Sequence, residues 1–281
     1  VGTKPDGKPD FYYETWEPPE KLTEAKAKKE VKKYADELES KIKRGVIVPS
    51  SKKFSDYAEY VIRFKVSRGM KKKTAYNYRF LLKNRINPEF GDYFVDELTV
   101  THLNYFYTKL LEDGNSPKTV KEYHTVISSV LEHAKKESLI EKNPAKEATL
   151  PKRVKKPVQY YEPEDIIKIR EALEEHAPLK WRVITYILLA SGARRGEVLG
   201  LKEDDFDFFN NQIRFDSEIV YTSDDGVYED TTKTENVRWC KMPQRVMELA
   251  KLWIKEYKKA KLLYADRWHD TGFIFFQDKP G

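Results

Sequence analysis

Residues 151–157 read Pro-Lys-Arg-Val-Lys-Lys-Pro, and no regular element can run through them. Each proline lacks the amide donor that a helix interior or a central strand requires, and pushes the residue before it toward extended backbone. Lys152, Arg153, Lys155 and Lys156 crowd the rest and leave no apolar periodicity, so 151–160 is an extended basic linker. The chain must therefore build separate cores on either side of it. Its 281 residues suffice for two or three.

Before the linker, residues 53–150 carry helical periodicity throughout, with helices near 55–66, 71–84, 99–112 and 116–137. Thr99 and Ser116 suit N-caps, Pro117 a first helical position and Gly114 a helix end. Residues 1–50 open with a turn-like Lys4-Pro5-Asp6-Gly7 and a strand-like stretch at 11–16. They then pass Pro18-Pro19 into a helix whose stripe is Leu22, Ala25, Val31, Tyr34, Leu38 and Ile42, ended by Gly45. Strand and helix alone make too little core for independence, so this is part of a small domain or a docking arm.

After the linker, in 161–281, the pattern is mixed. Glu162-Pro163-Glu164-Asp165 starts a helix with acidic residues in its first turn, and 181–190 is apolar nearly all round, which predicts a buried helix. Ser191-Gly192-Ala193 breaks the chain before a short helix at 194–201. Strands follow at 206–209 and 212–221 around an Asn210-Asn211 turn, then an acidic glycine-containing loop and a strand at 236–242. A long helix at 244–264 and a short strand at 273–276 complete the series. The expected fold is multidomain and mainly α, with an α+β C-terminal domain holding a small antiparallel sheet.

Lys and Arg number 52 against 46 Asp and Glu, a net charge of +6, which is compatible with a polyanionic partner without demanding one. Its distribution is more telling: Arg63, Lys65, Arg68, Lys71, Lys72, Lys73, Arg79, Lys83 and Arg85 follow one another with no Asp or Glu among them. Cys240 is the only cysteine, an expected strand-borne, inert thiol. No intramolecular disulfide or cysteine-rich zinc site can form, which fits a reducing compartment. No apolar run reaches bilayer length, so no membrane partner is expected, and Val1-Gly2-Thr3-Lys4 is neither a signal peptide nor an initiator start, which predicts trimming at the front.

The segment with the sharpest chemistry is Ser191-Gly192-Ala193-Arg194-Arg195-Gly196-Glu197-Val198-Leu199-Gly200-Leu201. A glycine closing one helix and an arginine opening the next hold a guanidinium at a rigid boundary, where its planar fork can grip two phosphate oxygens. The residues alone are equally met by a helix-start arginine paired with Glu197 or Glu203. Likewise Lys233, in Thr232-Lys233-Thr234-Glu235-Asn236-Val237-Arg238-Trp239-Cys240-Lys241-Met242-Pro243, is on its own no more than an exposed loop lysine.

Together these segments resemble the tyrosine recombinases of the phage-integrase type. The first is similar to their arginine box, Thr/Ser-Gly-hydrophobic-Arg-x-Ser/Gly-Glu-hydrophobic-x-x-Leu, with Ala193 where a larger apolar residue is usual. The second is similar to their Lys-Thr-x-x-x-x-Arg-x-hydrophobic-Pro hairpin, with Trp239-Cys240-Lys241-Met242 departing from the usual apolar strand end. The resemblance implies that Arg194 is the first catalytic arginine, Glu197 its supporting acid and Lys233 the residue that protonates the leaving 5′ oxygen. Arg195 falls at a variable position and is a candidate DNA contact.

The same resemblance implies a helical SAM-like core-binding domain and a catalytic domain that clamp duplex DNA. Expected DNA contacts are Lys71, Lys72, Lys73, Tyr76 and Arg79 on the second helix of that domain, Lys118, Lys121 and His124 on the fourth, and Lys152, Arg153, Lys155 and Lys156 in the linker. Residues 1–50 are similar, in their strand and helix, to an arm-type DNA-binding domain, although Pro18-Pro19 is unusual there. Further implied are a homotetramer on synapsed core and arm attachment sites, an excisionase-type accessory protein, a bacterial cytoplasmic location, and a mobile element as host. No metal site, nucleotide cofactor or ATP is expected, in keeping with the lack of a phosphate-cradling glycine loop or clustered metal ligands.

The family's His-x-x-Arg motif and nucleophilic tyrosine have no match: none of His102, His124, His133, His176 and His269 has arginine three residues on. The expectation is that the chain stops before them, binds DNA and does not cleave it in cis. A catalytically inert, recombinase-derived DNA-binding regulator is the alternative. An unrelated helical nuclease or methyltransferase would need a carboxylate cluster or nucleotide loop, and the sequence offers neither.

Overall fold

A computed structural model describes residues 2–3, 9–10, 24–43, 52–152, 157, 160–231 and 237–276. The chain divides into two compact units, Val1–Lys156 and Pro157–Gly281.

In the first unit β1 (Gly2–Thr3) pairs antiparallel with β2 (Pro9–Asp10). The expected turn at 4–7 and strand at 11–16 lie outside the described residues. Helix α1 (Glu24–Lys43) forms as its spacing predicts, yet its stripe is largely open: Val31 and Tyr34 are exposed and Leu38 is half-buried. Four longer helices build the core: α2 (Phe54–Ser67), α3 (Lys72–Leu81), α5 (Val100–Glu112) and α6 (Pro117–Lys136), with a short α4 (Asn87–Phe90) between α3 and α5. Phe54, Tyr57, Ile62, Leu103, Tyr107, Ile127 and Leu131 fill the centre.

The caps are those the sequence proposes. Thr99 accepts from the His102 amide at 3.3 Å and Ser116 from the Thr119 amide at 3.1 Å. Ser116→Ala removes one of the few partners available to the first amides of α6, and thermal unfolding should register a loss of about 1 kcal/mol. The helix expected at 71–84 instead ends as α at Leu81 and passes through a π turn, Leu82–Ile86, into α4, with the Asn87 amide on the Leu82 carbonyl. Pro88 has no amide to continue an α pattern, and one wider turn carries the chain past it.

The second unit packs α7 (Pro163–His176), α8 (Leu179–Ser191), α9 (Arg195–Leu199) and α10 (Gln244–Tyr264) with two small sheets. Strands β3 (Phe206–Asp207), β4 (Gln212–Phe215) and β7 (Arg238–Lys241) form an antiparallel sheet, and β5 (Ser217–Thr222) and β6 (Gly226–Thr231) a separate hairpin. Its core joins Val183, Ile187, Val198, Leu201, Ile213, Phe215, Ala250 and Ile274.

Several expectations change here. The strand expected at 212–221 divides at Asp216, so its halves pair with different partners. Much of the acidic loop is β6, whose Tyr228 stands opposite Val220 and whose backbone is satisfied by β5; only 223–225 turn. The strand expected at 206–209 stops at Asp207, whose carboxylate takes the amides of Phe209 and Asn210 and so closes a turn. Residues 273–276 make one bridge, Lys202 to Phe273, rather than a strand. Nor is α8 buried all round: Val183, Ile184 and Ile187 are inside, whereas Trp181 and Leu189 are about half exposed.

Candidate functional site

The break between α8 and α9 is built to aim one side chain. Gly192 caps α8 in the left-handed region at φ 62°, where a Cβ is strained, and its amide reaches the Leu188 carbonyl at 3.0 Å. Ser191 Oγ donates to the Ile187 carbonyl at 2.6 Å and accepts from the Ala193 amide at 3.0 Å, which fixes the bend. Arg194 then occupies the N-cap of α9 in extended backbone.

Glu197, one turn into α9, is the centre of the site. Its side chain has no solvent exposure, and it accepts from the Arg194 amide (Oε2, 2.8 Å), from Arg194 Nη1 (Oε1, 2.8 Å), and from Arg238 Nη2 and Nη1 (Oε2, 2.6 Å; Oε1, 3.3 Å). Burial pushes the carboxyl upward, but the Arg238 guanidinium, the Arg194 amide and the Arg194 guanidinium outweigh it and bring it down to about 2. A permanent anion thus holds two cations. Arg194 remains about half exposed, its other N–H groups available to an oxyanion from outside. The alternative pairing with Glu203 does not form, since Glu203 accepts from Lys258 at 2.6 Å.

Close backbone approach joins this helix to the hairpin. A Cβ on Gly196 would stand 2.8 Å from the Ile219 carbonyl oxygen, so α9 lies against β5 nearer than any other residue allows. Lys202, just beyond α9, reaches Glu229 of β6 at 2.8 Å. Lys233 lies outside the described residues, in the segment that follows β6 and precedes β7. Arg195 is exposed on α9.

The candidate DNA contacts of the first unit fall into two groups. At the start of α3, Lys72 is exposed, Lys71 and Lys73 are half-buried, and Lys73 Nζ sits 5.0 Å from the centre of the Tyr76 ring. Arg79 donates through Nε and Nη2 to both oxygens of Glu59 on α2, at 3.1 and 2.8 Å, so its fork ties two helices together. On α6, Lys118 and Lys121 are exposed. His124 is half-buried with Nδ1 3.0 Å from the Tyr107 hydroxyl, and burial, then Lys146 and Lys121, push its pKa down.

Lys121 and His124 also border a groove of about 450 Å³ whose other cations are Lys65, Lys136 and Lys146. Lys65 bonds Ser129, and burial followed by Lys136 lowers its pKa, as expected where cations crowd. Of these three lysines, Lys65 belongs to the basic run of 63–85 without being named there as a contact, and sequence reasoning missed Lys136 and Lys146. The signal for Lys136 was the helical spacing of Lys121, Thr125, Ser128, Glu132 and Lys136 on one face of α6. Arg238 was missed too: it stands in the quoted hairpin pattern without a role. Lys152 is exposed, and Arg153, Lys155 and Lys156 lie outside the described residues. Among the described residues there is no cluster of three or more side chains suited to a metal, and no helix long and apolar enough to cross a membrane.

Residues 54–151 match the phage integrase central domain. A tyrosine recombinase XerC-like protein of Caldanaerobacter subterraneus subsp. tengcongensis is 26% identical over 200 residues, 67% of this chain and 50% of that protein. The ICEBs1 integrase of Bacillus subtilis is 26% identical over 212 residues, 73% of this chain and 56% of its own. The chain thus spans about half the length of these curated relatives. Among solved structures, the Tn1549 transposon integrase in complex with a circular intermediate DNA superposes with a TM-score of 0.68 at 20% identity, over 82% of this chain and 73% of that one. A lambda integrase dimer bound to a COC′ core site gives 0.53 at 17%, over 86% and 61%.

Proposed function

We propose that this chain, which matches the phage integrase central domain over residues 54–151 and is 26% identical to tyrosine recombinases over about two thirds of its length, contributes DNA binding and part of the active site to a site-specific recombinase of a mobile element. The observation that carries the proposal is the buried Glu197 clasping Arg194, which leaves a half-exposed guanidinium rigidly aimed at the head of a helix. Rigid donors placed where charge develops are what phosphoryl transfer requires.

In the proposed reaction a tyrosine, which none of the matched motifs of residues 1–281 contains, attacks a phosphodiester to form a 3′-phosphotyrosyl link and release a 5′ hydroxyl. Arg194 offsets charge on the nonbridging oxygens, and Lys233 protonates the leaving oxygen. The covalent link keeps the energy of the broken bond, so the cycle needs neither ATP nor a metal. We divide the chain into an arm-type segment at 1–50, a core-binding domain at 53–150, a linker at 151–160 and a catalytic domain at 161–281. Lys71, Lys72, Lys73, Tyr76, Lys118, Lys121, His124, Lys152, Arg153, Lys155, Lys156 and Arg195 are the proposed DNA contacts, and Arg79 serves mainly to hold α3 to α2. Assembly as a tetramer on two synapsed duplexes, an accessory excisionase-type protein and a cytoplasmic location belong to the same proposal.

Duplex binding by the chain should weaken linearly on a log–log plot against salt, each neutralised phosphate adding about 0.9 to the slope. A slope near zero, measured by fluorescence anisotropy on labelled duplex, would sink the DNA-binding reading. The chemistry is tested by reading the coding sequence past Gly281 and assaying that protein on nicked suicide duplex. A tyrosine-linked adduct lost in Arg194→Ala supports strand exchange, and binding without an adduct supports the inert regulator.

A further inference from the structure

Arg238 has a place in this site that the motif alone does not assign. It opens β7 and stands opposite Phe215 of β4, with its guanidinium carbon 5.0 Å from the centre of that buried ring. From there it donates to both oxygens of Glu197, a residue 41 positions earlier in the chain. One carboxylate therefore joins the head of α9, which carries Arg194, to the first residue of β7.

We propose that Arg238 is a positioning residue: it immobilises Glu197, so that Arg194 is held in one orientation toward the scissile phosphate. The inference rests on the proposed recombinase reading and deepens it. The physical reason is geometric. A carboxylate held only by Arg194 is fixed at Oε2 by the backbone amide, while Oε1 and the guanidinium it holds can still turn about that bond. Two further bonds from a different strand remove this freedom. A planar fork does this and a lysine ammonium does not, because the fork makes two parallel bonds of fixed direction while the ammonium makes one with free rotation. The ring of Phe215 beneath the guanidinium restricts the fork itself.

A cation present only to neutralise a buried anion would affect stability alone, and a cation touching DNA directly would add its effect to that of Arg194. A positioning residue does neither. The test is a double-mutant cycle on the full chain, reading the affinity for a fluorescein-labelled duplex of mixed sequence, with thermal unfolding followed in parallel. Arg194→Ala should weaken binding about tenfold, the loss of one charge-assisted contact. Arg238→Gln should weaken it about three- to tenfold in the wild-type background and leave Arg194→Ala unchanged. Arg238→Lys, which keeps a cation beside Glu197 and so keeps the fold if Gln does not, should fall between wild type and the Arg194→Ala level.

Losses at Arg238 that add to that of Arg194→Ala, or a folded Arg238→Lys that binds like wild type, overturn the positioning role and leave the recombinase reading standing. Wild-type binding that Arg194→Ala does not weaken removes the phosphate contact at Arg194, and both statements fall together.

Discussion

Replacing Glu197 with glutamine should remove an acid limb from the unfolding curve of the C-terminal unit, worth about 3 kcal/mol at neutral pH. The carboxyl has an ordinary value of 4.5 and in the folded protein lies at about 2, so the native state binds this proton more weakly than the unfolded chain. A depressed native value contributes stability that is complete above the unfolded value and is lost as pH falls through the folded one. The window therefore runs from about 5 down to about 2. The side chain has no solvent exposure, so screening by water does not erode the figure as it would for a surface pair.

At neutral pH the Gln variant should be less stable than wild type by about 3 kcal/mol, because its neutral amide leaves two guanidinium groups without their anion and turns an NH2 toward one of them. Toward pH 2 the two proteins should converge, since wild-type Glu197 is by then half protonated and only about 0.4 kcal/mol of its advantage remains. Glu174, which is also held low and accepts from Tyr186, Arg182 and Arg245, titrates in both proteins and cancels in the difference. Urea unfolding across a pH series, followed by the emission of Trp181, Trp239, Trp253 and Trp268, makes the comparison. Parallel curves for the two proteins would show that the carboxylate is not the linchpin described above.

The bend that presents Arg194 was legible in the sequence because everything it needs is local. Glycine after the last turn of α8, arginine at the N-cap and glutamate three residues on are neighbours in the chain as well as in space. The helix limits at Thr99 and Ser116 were legible for the same reason. What the sequence withheld is non-local. Nothing in a window around Arg238 signals a carboxylate far upstream, and nothing in the acidic 226–231 stretch signals that β5 will satisfy its backbone. The apolar run at 181–190 misled because composition gives no direction. Trp181 and Leu189 lie on the side of α8 that the described residues leave open, while Lys180 is buried and reaches the Phe276 carbonyl at 3.3 Å.

The second large effect is expected at Gly196, where two physical rules predict opposite signs. Gly196 lies inside α9 in ordinary helical backbone, so intrinsic propensity alone predicts that Gly196→Ala stabilises by about 1 kcal/mol. The structure predicts a loss. The new Cβ would meet the Ile219 carbonyl oxygen at 2.8 Å and Glu218 Cβ at 3.4 Å, and a backbone oxygen in a paired strand cannot swing aside like the end of a flexible side chain. Overpacking of this kind costs about 1–3 kcal/mol, so Gly196→Ala should lose about 1 kcal/mol net and Gly196→Val, with two more methyl groups at the same seam, about 3. Gly200→Ala is the milder comparison, since its nearest contacts, both backbone, are at 3.2 and 3.3 Å and require a shift of only a few tenths of an ångström. If the helix rule wins and Gly196→Ala raises the denaturation midpoint, α9 does not press on β5 as described. If the loss appears and grows from Ala to Val, the same displacement must carry Arg194 and Glu197 away from Arg238. Weakened duplex binding should then accompany the lost stability, because one seam supports both.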